Sequence, residues 1–444
     1  MSDSTAAAKP QDPYLAFRIR DYRYFAVGNL VSVMGRQMVA FAVGLEVYQR
    51  SIPLGKAHAA TMIAYVGLVG ALPTILFAIP AGQAADRHPR KQILLVNQLL
   101  SAVSSVGLVA WSCFHASFAW MFALLFLSGI CRTYSWAART PFMSNLVPAE
   151  VLSNAVTWNS SLFQGACVVG PVIAGFLAIN PGFPFLYGLD AFFAVMFFLM
   201  LLQIAHRQEP VKQSTKSWGE LLSGLRFVFG TEPILATITL DLFAVLFGGA
   251  TALLPIYADQ ILHCSPLGLG WLRAAPSIGA VAMGVMMAYL PPMKRVGVSM
   301  LRAVAWFGAA TILFGLSKWY WLSIVALAIT GAVDTVSVVV RHTLVQLLTP
   351  DNMRGRVSAV NNVFIGSSNE LGSFESGITT AWFGPVVSVV YGGIITILVV
   401  LAAMKTWPQL SNLGSFASMK PIEETAPPQK PSADELRMSD DKEE

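Results

Sequence analysis

Charged side chains interrupt the apolar stretches of this 444-residue chain, and its chemistry has to be sought among them. Arg36 and Glu46 fall in the first stretch, Arg132 in the fourth, Asp241 in the seventh, Asp334 in the tenth, and Glu370 with Glu375 in the eleventh. An ionisable group at the centre of a membrane helix costs roughly 2.5–3.5 kcal/mol on insertion scales, so such groups mark transport pathways, proton relays or fixed ion pairs. A carboxyl group that burial makes reluctant to ionise, and that a conformational change re-exposes, can carry a proton across. Glu370 and Arg36 lie at similar midplane depth. Glu370 is therefore read as the proton carrier and Arg36 as its counter-charge or a substrate ligand; a static pair fixing helix register is the plainer reading. Glu375 and Asp241 are the alternative carriers. Asp334 and Arg132 read as gate or structural pairs, Glu46 as interfacial, and Trp158 and Trp136, like Asp334, as cavity wall.

Two further groupings bear on movement rather than on protons. Gly82, Asp86, Arg87, Arg90 and Lys91 form a compact loop motif after the second apolar stretch. A glycine there lets two helices approach closely, and a carboxylate at a helix end can accept from the N-terminus of a neighbouring helix. Gly165, Gly170, Pro171 and Gly175 share the fifth stretch, where Pro171 frees a backbone carbonyl and permits a bend; ordinary close packing of small residues is the alternative. The six histidines are isolated, and there is no GxxxxGK[ST], HExxH or GxSxG. Neither ATP-driven transport nor membrane hydrolysis has residues to work with, and no metal or cofactor is expected. Cys113, Cys131, Cys167 and Cys264 are scattered and form no CxxC pair.

The elements that position these groups follow from composition. The chain is 55% hydrophobic and 12% charged, against roughly 25% charged in an ordinary soluble protein, with a mean hydropathy of +0.60. Apolar runs of 18 or more are too long for the alternating strands of a β-barrel. The class is all-α integral membrane, with spans expected near 24–48, 61–82, 92–114, 118–139, 158–179, 184–205, 233–258, 267–290, 298–317, 320–341, 358–383 and 385–405. Lys and Arg crowd the loops on one side, including Arg87, Arg90, Lys91, Lys294, Arg295, Arg354 and Arg356; the other side has little beyond Arg50, Lys56 and Lys318. The positive-inside rule then puts both termini in the cytoplasm and explains the net charge of +5 without a nucleic-acid partner. The first twenty residues are polar and show no signal-peptide pattern.

The layout expected is a segment 1–23, a six-helix half 24–205, a linker 206–232, a second half 233–405 and a tail 406–444 that reads as disordered. Within the linker, Trp218, Leu221, Leu222, Leu225 and Phe229 recur at helical spacing opposite Glu220 and Arg226, an amphipathic interfacial helix. The halves repeat. Arg139 precedes Pro148 by nine residues, Arg341 precedes Pro350 by nine, and the same register aligns Asn159 with Asn361. Ala71-Leu72-Pro73 likewise matches Ala274-Ala275-Pro276. Six spans per half make the repeat parallel, giving two pseudo-symmetric halves.

The loop motif Gly82–Lys91 resembles the G-x-x-x-D-R-x-x-R-[KR] signature of the major facilitator superfamily. Gly165, Gly170-Pro171 and Gly175 are similar to that superfamily's antiporter motif, which marks exporters. Asn369-Glu370-Leu-Gly372-Ser-Phe-Glu375-Ser-Gly377 resembles the branch of enterobactin and macrolide exporters. Arg132 is followed by Thr-Tyr-Ser and does not match the R-x-x-Q-G of proton antiporters. The resemblance implies a twelve-helix fold with alternating access, and span two meeting span eleven across the halves, so that Asp86 latches onto the helix starting near Ser358. The expected activity is proton-coupled efflux of an amphipathic small molecule, a drug or siderophore. The expected setting is a monomer among the lipids of a bacterial cytoplasmic membrane. An importer or uniporter of a polar metabolite, a lysolipid transporter and a transport-inactive receptor or scaffold remain the alternatives.

Overall fold

The computed structural model describes residues 12–205, 218–291, 293–350 and 353–416. Among the described residues there is no strand. The first half comprises α1 (Arg20–Ser51), α2 (Lys56–Arg87), α3 (Arg90–Phe114), α4 (Phe118–Ser144), α5 (Ala149–Leu177) and α6 (Phe183–Gln203). After α7 (Trp218–Gly230) come α8 (Glu232–Gly248), α9 (Leu254–Gln260), α10 (Pro266–Tyr289), α11 (Val296–Leu316), α12 (Tyr320–Leu348), α13 (Arg354–Phe383), α14 (Pro385–Thr406) and the short α15 (Pro408–Ser411). Among the described residues, eleven segments are long and apolar enough to cross a membrane. The twelfth long helix is α13, made too polar for that criterion by Asn361, Asn362, Asn369, Glu370, Glu375 and several serines. Such a helix is tolerated where protein, not lipid, surrounds it.

Two expectations need correction. Span seven is not one helix: Gly248 and Gly249 break it, a 3₁₀ turn follows, and Pro255 opens α9. Glycine has the least to lose from leaving helical geometry, and proline at a helix start removes no bond. The stretch after Pro408 is ordered as far as residue 416: α15 buries Leu410, and the Val296 amide donates to the Gly414 carbonyl at 3.1 Å. The rest of the tail, residues 1–11 and linker residues 206–217 lie outside the described residues. The linker helix α7 packs on the second half. Val228 is buried in the core of the second half, and Arg356 donates to the Ser223 hydroxyl at 3.2 Å.

The repeat extends into the turns. Gly182 and Gly384, 202 residues apart, each precede a helix with φ of +104° and +84°, a region that favours glycine. The face carrying residues 12 and 416 is called terminal below, and the opposite one distal.

The halves touch along two seams that are repeat mates of each other: α2 against α13 and α5 against α10. On the first seam, a Cβ on Gly377 would come within 2.7 Å of the Ala64 Cα, one on Gly67 within 2.8 Å of the Phe374 amide, and one on Gly70 within 2.5 Å of the Glu370 carboxylate. On the second, Gly175 abuts the Pro266 carbonyl, and a Cβ on Gly270 would lie 2.6 Å from the Pro171 carbonyl. Small residues allow this backbone approach, which is how helices associate where lipid is as apolar as leucine.

Both seams are closed at the distal end and open at the terminal end. The register that sets Gly70 on Glu370 would set Gly82 on Ser358, yet a Cβ on Gly82 meets nothing within 4 Å. The register that sets Pro171 on Gly270 would set Phe163 on Ile278, yet these are 46% and 38% exposed. Core packing agrees. One apolar cluster on the distal side joins both halves, from Met38–Tyr48 to Leu253–Ala258. On the terminal side the halves have separate clusters, around Phe25, Phe142 and Phe197 in the first and Met300, Val340 and Leu344 in the second. The expectation of close approach at Gly82 therefore fails in this conformation.

Gly270→Val forces its side chain into the Pro171 carbonyl and weakens the distal seam. A penalty near 1 kcal/mol shifts a two-state equilibrium about fivefold. Maleimide labelling of Phe163→Cys from the terminal side of reconstituted vesicles should slow, by up to about that factor. An unchanged rate contradicts the seam assignment.

Candidate functional site

The charged residues of the spans assemble between and within the halves. Arg132 Nη1 lies 2.6 Å from Glu370 Oε1, and Arg132 Nη2 donates to the Gly70 carbonyl at 3.1 Å. One arginine of α4 thus ties α2 and α13 together across the halves. Gly70 is required here, because its missing side chain makes the niche for the Glu370 carboxylate. The pair is accessible, with Arg132 43% and Glu370 23% exposed. Arg36 is not the partner of Glu370, contrary to expectation. Its Nη1 donates to Ser32 Oγ at 2.7 Å, which also accepts from Gln98 at 3.2 Å. Its acidic neighbour is Asp190 of α6, which accepts from Ser105 at 2.5 Å and packs against Gly35.

Asp241 is committed elsewhere. It forms a buried ion pair with Arg341 of α12, both almost without exposure. Asp334 lines a small pocket beside it, with Phe307 and Ser337. Glu375 is half-buried and has no cationic partner among the described residues; its nearest polar contact is the Ser376 hydroxyl at 3.5 Å. Glu46 is not interfacial but 2% exposed, held by Arg50 at 2.5 Å, Ser112 at 2.7 Å and Tyr187 at 2.9 Å, with Arg50 stacked over Trp111. This satisfied network fixes the distal end of the first half.

Trp158 does not line a cavity. Its indole N–H donates to the Pro13 carbonyl at 2.8 Å, and Tyr14 and Phe17 cover its ring. Asn154 completes the clamp on this N-terminal strap. Trp136 does face the other half, 3.4 Å from where a side chain on Gly366 would begin. In the loop motif, Lys91 donates to the Ile204 carbonyl at 2.7 Å and Arg90 reaches the Pro141 carbonyl at 3.4 Å, so both meet carbonyls at or near helix ends within the first half. Arg87 is exposed, and Asp86 is half-buried one residue before the end of α2.

Several residues carry signals that the sequence reading passed over. Arg273 of α10 donates to the Ala40 carbonyl at 3.3 Å across the halves and has Glu370 as its acidic neighbour. Tyr48 donates to Asp259 at 2.6 Å and accepts from Gln260 at 3.1 Å, a polar clasp across the distal face. Arg273 and Asp190 are lone charges in apolar runs, the criterion that singles out Asp241.

Two halves of six spans, joined along repeat-related seams and enclosing charged groups, fit one family. The profile of the Major Facilitator Superfamily matches residues 25–373. The chain belongs to the major facilitator superfamily. It is 27% identical over 342 residues to the enterobactin exporter EntS of Shigella flexneri, covering 74% of this chain and 80% of that protein. It is 26% identical over 349 residues to the enterobactin exporter EntS of Escherichia coli O6:K15:H31, covering 75% and 83%. The crystal structure of a D-xylose–proton symporter superposes with a TM-score of 0.70 at 15% identity over 90% of this chain and all of that one. A bacterial homologue of the human lysosomal transporter Spinster gives 0.68 at 14% identity, over 90% and 99%. At these identities the solved structures speak for the fold. This major facilitator is a membrane transporter and not an enzyme.

Within this major facilitator, removing one partner of the buried Asp241–Arg341 pair strands a charge. Asp241→Asn should cost about 3–5 kcal/mol, read as lost thermal stability in detergent, whereas Glu370→Gln, at an accessible pair, should cost far less. Equal melting shifts for both variants contradict the division between structural and accessible pairs.

Proposed function

We propose that the chain exports an amphipathic small molecule from the cytoplasm in exchange for protons, as a monomer in a bacterial cytoplasmic membrane with both termini inside. The observation that carries the reading is the Arg132–Glu370 pair, an accessible ion pair between the halves at midplane depth. The loop charge bias makes the terminal face cytoplasmic. The space between the halves then opens to the cytoplasm, where cargo enters. The enterobactin exporters among the relatives support outward transport and a siderophore-like cargo.

The coupling follows from electrostatics. With the terminal face open, Glu370 is held by Arg132 at an accessible site and delivers its proton toward the cytoplasm. When the distal face opens, the tie is broken, and a carboxylate without its partner at that depth takes up a proton instead. Uptake outside and release inside drive cargo outward. Glu375, without a cation, is the second carrier. Asp86 acts at the terminal face, where closure would bring α2 back toward the start of α13.

Reconstituted Glu370→Gln should keep downhill exchange of substrate and lose pH-driven accumulation, with Glu375→Gln run beside it. If accumulation survives in Glu370→Gln, Glu370 carries no coupling proton; if both activities fall together, its role is structural.

A further inference from the structure

The first half carries an arginine for which the fold has kept a place but no carboxylate. Packing fixes the register of the first helices of the two halves. Asp190 packs on Gly35, and Gly392, its mate 202 residues on, packs on Phe247. Gly35 therefore corresponds to Phe247, and the same offset of 212 sets Asn29 on Asp241. Arg139 corresponds to Arg341, Asn159 to Asn361 and Arg132 to Asp334. In the second half the arginine at this place is buried against Asp241. In the first half the acid is replaced by Asn29, whose amide donates to Asn159 at 3.0 Å.

Arg139 is left with no carboxylate among the described residues. Its Nε is enclosed without an acceptor, and its electrostatic neighbour is another cation, Arg36. A guanidinium always stays charged, so its charge has to be met from outside the protein. Arg139 shares a helical stripe with Arg132 and Trp136, and both of those reach the other half, so Arg139 faces the same space one turn nearer the terminal opening. Charge within the spans agrees. Arg36, Arg132 and Arg139 stand in the first half against Asp190, with Glu46 and Arg50 paired to each other at the distal end, whereas Asp241, Asp334, Glu370 and Glu375 stand in the second against Arg273 and Arg341.

We infer that Arg139, with Arg36 behind it, forms an anion subsite on the wall of the first half, and that the cargo is an amphipath bearing an anionic oxygen group. The group would be a carboxylate, sulfonate or phenolate; guanidinium binds such oxygens in bidentate fashion. Asn29 and Asn159 line the subsite as neutral groups and leave it positive. This rests on the transport reading only in taking the space between the halves as the place where cargo binds.

Two probes share a fluorophore and differ in charge: dansylglycine carries a carboxylate and dansylcadaverine an ammonium. Titrated into the detergent-solubilised full chain, dansylglycine should bind at least about tenfold more tightly, as expected of a guanidinium–carboxylate contact. Arg139→Gln should bring that ratio close to one, and Arg139→Lys should keep a clear preference. Asn29→Asp supplies the missing carboxylate in place. It should abolish the preference as fully as Arg139→Gln while keeping or raising the melting temperature, which separates loss of the subsite from loss of the fold. A wild-type ratio of one or below, or a ratio unchanged by Asn29→Asp, overturns the inference. Transport that fails in vesicles while the dansylglycine preference stands contradicts the export reading alone. Transport that stands without any preference contradicts the anion subsite alone.

Discussion

In a bilayer two apolar helices gain nothing from leaving water, so close backbone approach is the main thing that can hold the apolar parts of the two halves together. That condition is met at the distal ends of two seams, by Gly67, Gly70 and Gly377 on one and Gly175 and Gly270 on the other. It is not met at Gly82 or between Phe163 and Ile278. Because the seams are related by the repeat, a movement that levered both about the same level would close one face as it opened the other. Interfaces packed this tightly have discrete arrangements rather than a continuum. The Arg132–Glu370 pair sits where the closed part of a seam gives way to the open part.

The repeat has been preserved in backbone and rewritten in charge. Gly182 and Gly384 keep the same turn, and Arg139 and Arg341 keep the same place. The partners differ: Asp241 has Asn29 as its mate, and Asp334 has Arg132. The second half thereby places its arginine in a buried pair, while the first leaves Arg139 without a carboxylate among the described residues. Identical halves could rock, but they would offer a symmetric wall. On the anion-subsite reading, unequal charge gives the cavity a positive and a negative side.

The spans were legible because about twenty apolar residues is a strong signal, and the pairing of span two with span eleven followed from the family resemblance. Span seven was not legible as broken, since Gly248-Gly249 inside an apolar run looks like any small-residue packing site. Depth along a helix could be counted, which placed Arg36 and Glu370 at one level. Azimuth could not, and azimuth decides that Glu370 meets Arg132 while Arg36 turns to Ser32 and Asp190. Trp158 looked like cavity wall because nothing in its neighbourhood announces that residues 13–17 fold back over it. Gly82 was read as a contact glycine, a property that belongs to a conformation rather than to a sequence.

The central claim is that protonation of an accessible carboxylate shifts one rocking equilibrium of two rigid halves. Pulsed electron-spin distance measurements test it directly, with one label pair across the terminal face at His88 and Gln346 and another across the distal face at Leu54 and Trp319. On acidification of the reconstituted transporter, the terminal distance should shorten and the distal distance lengthen together, between the same two populations. Distances that do not respond to pH, or that change in the same direction on both faces, contradict the claim.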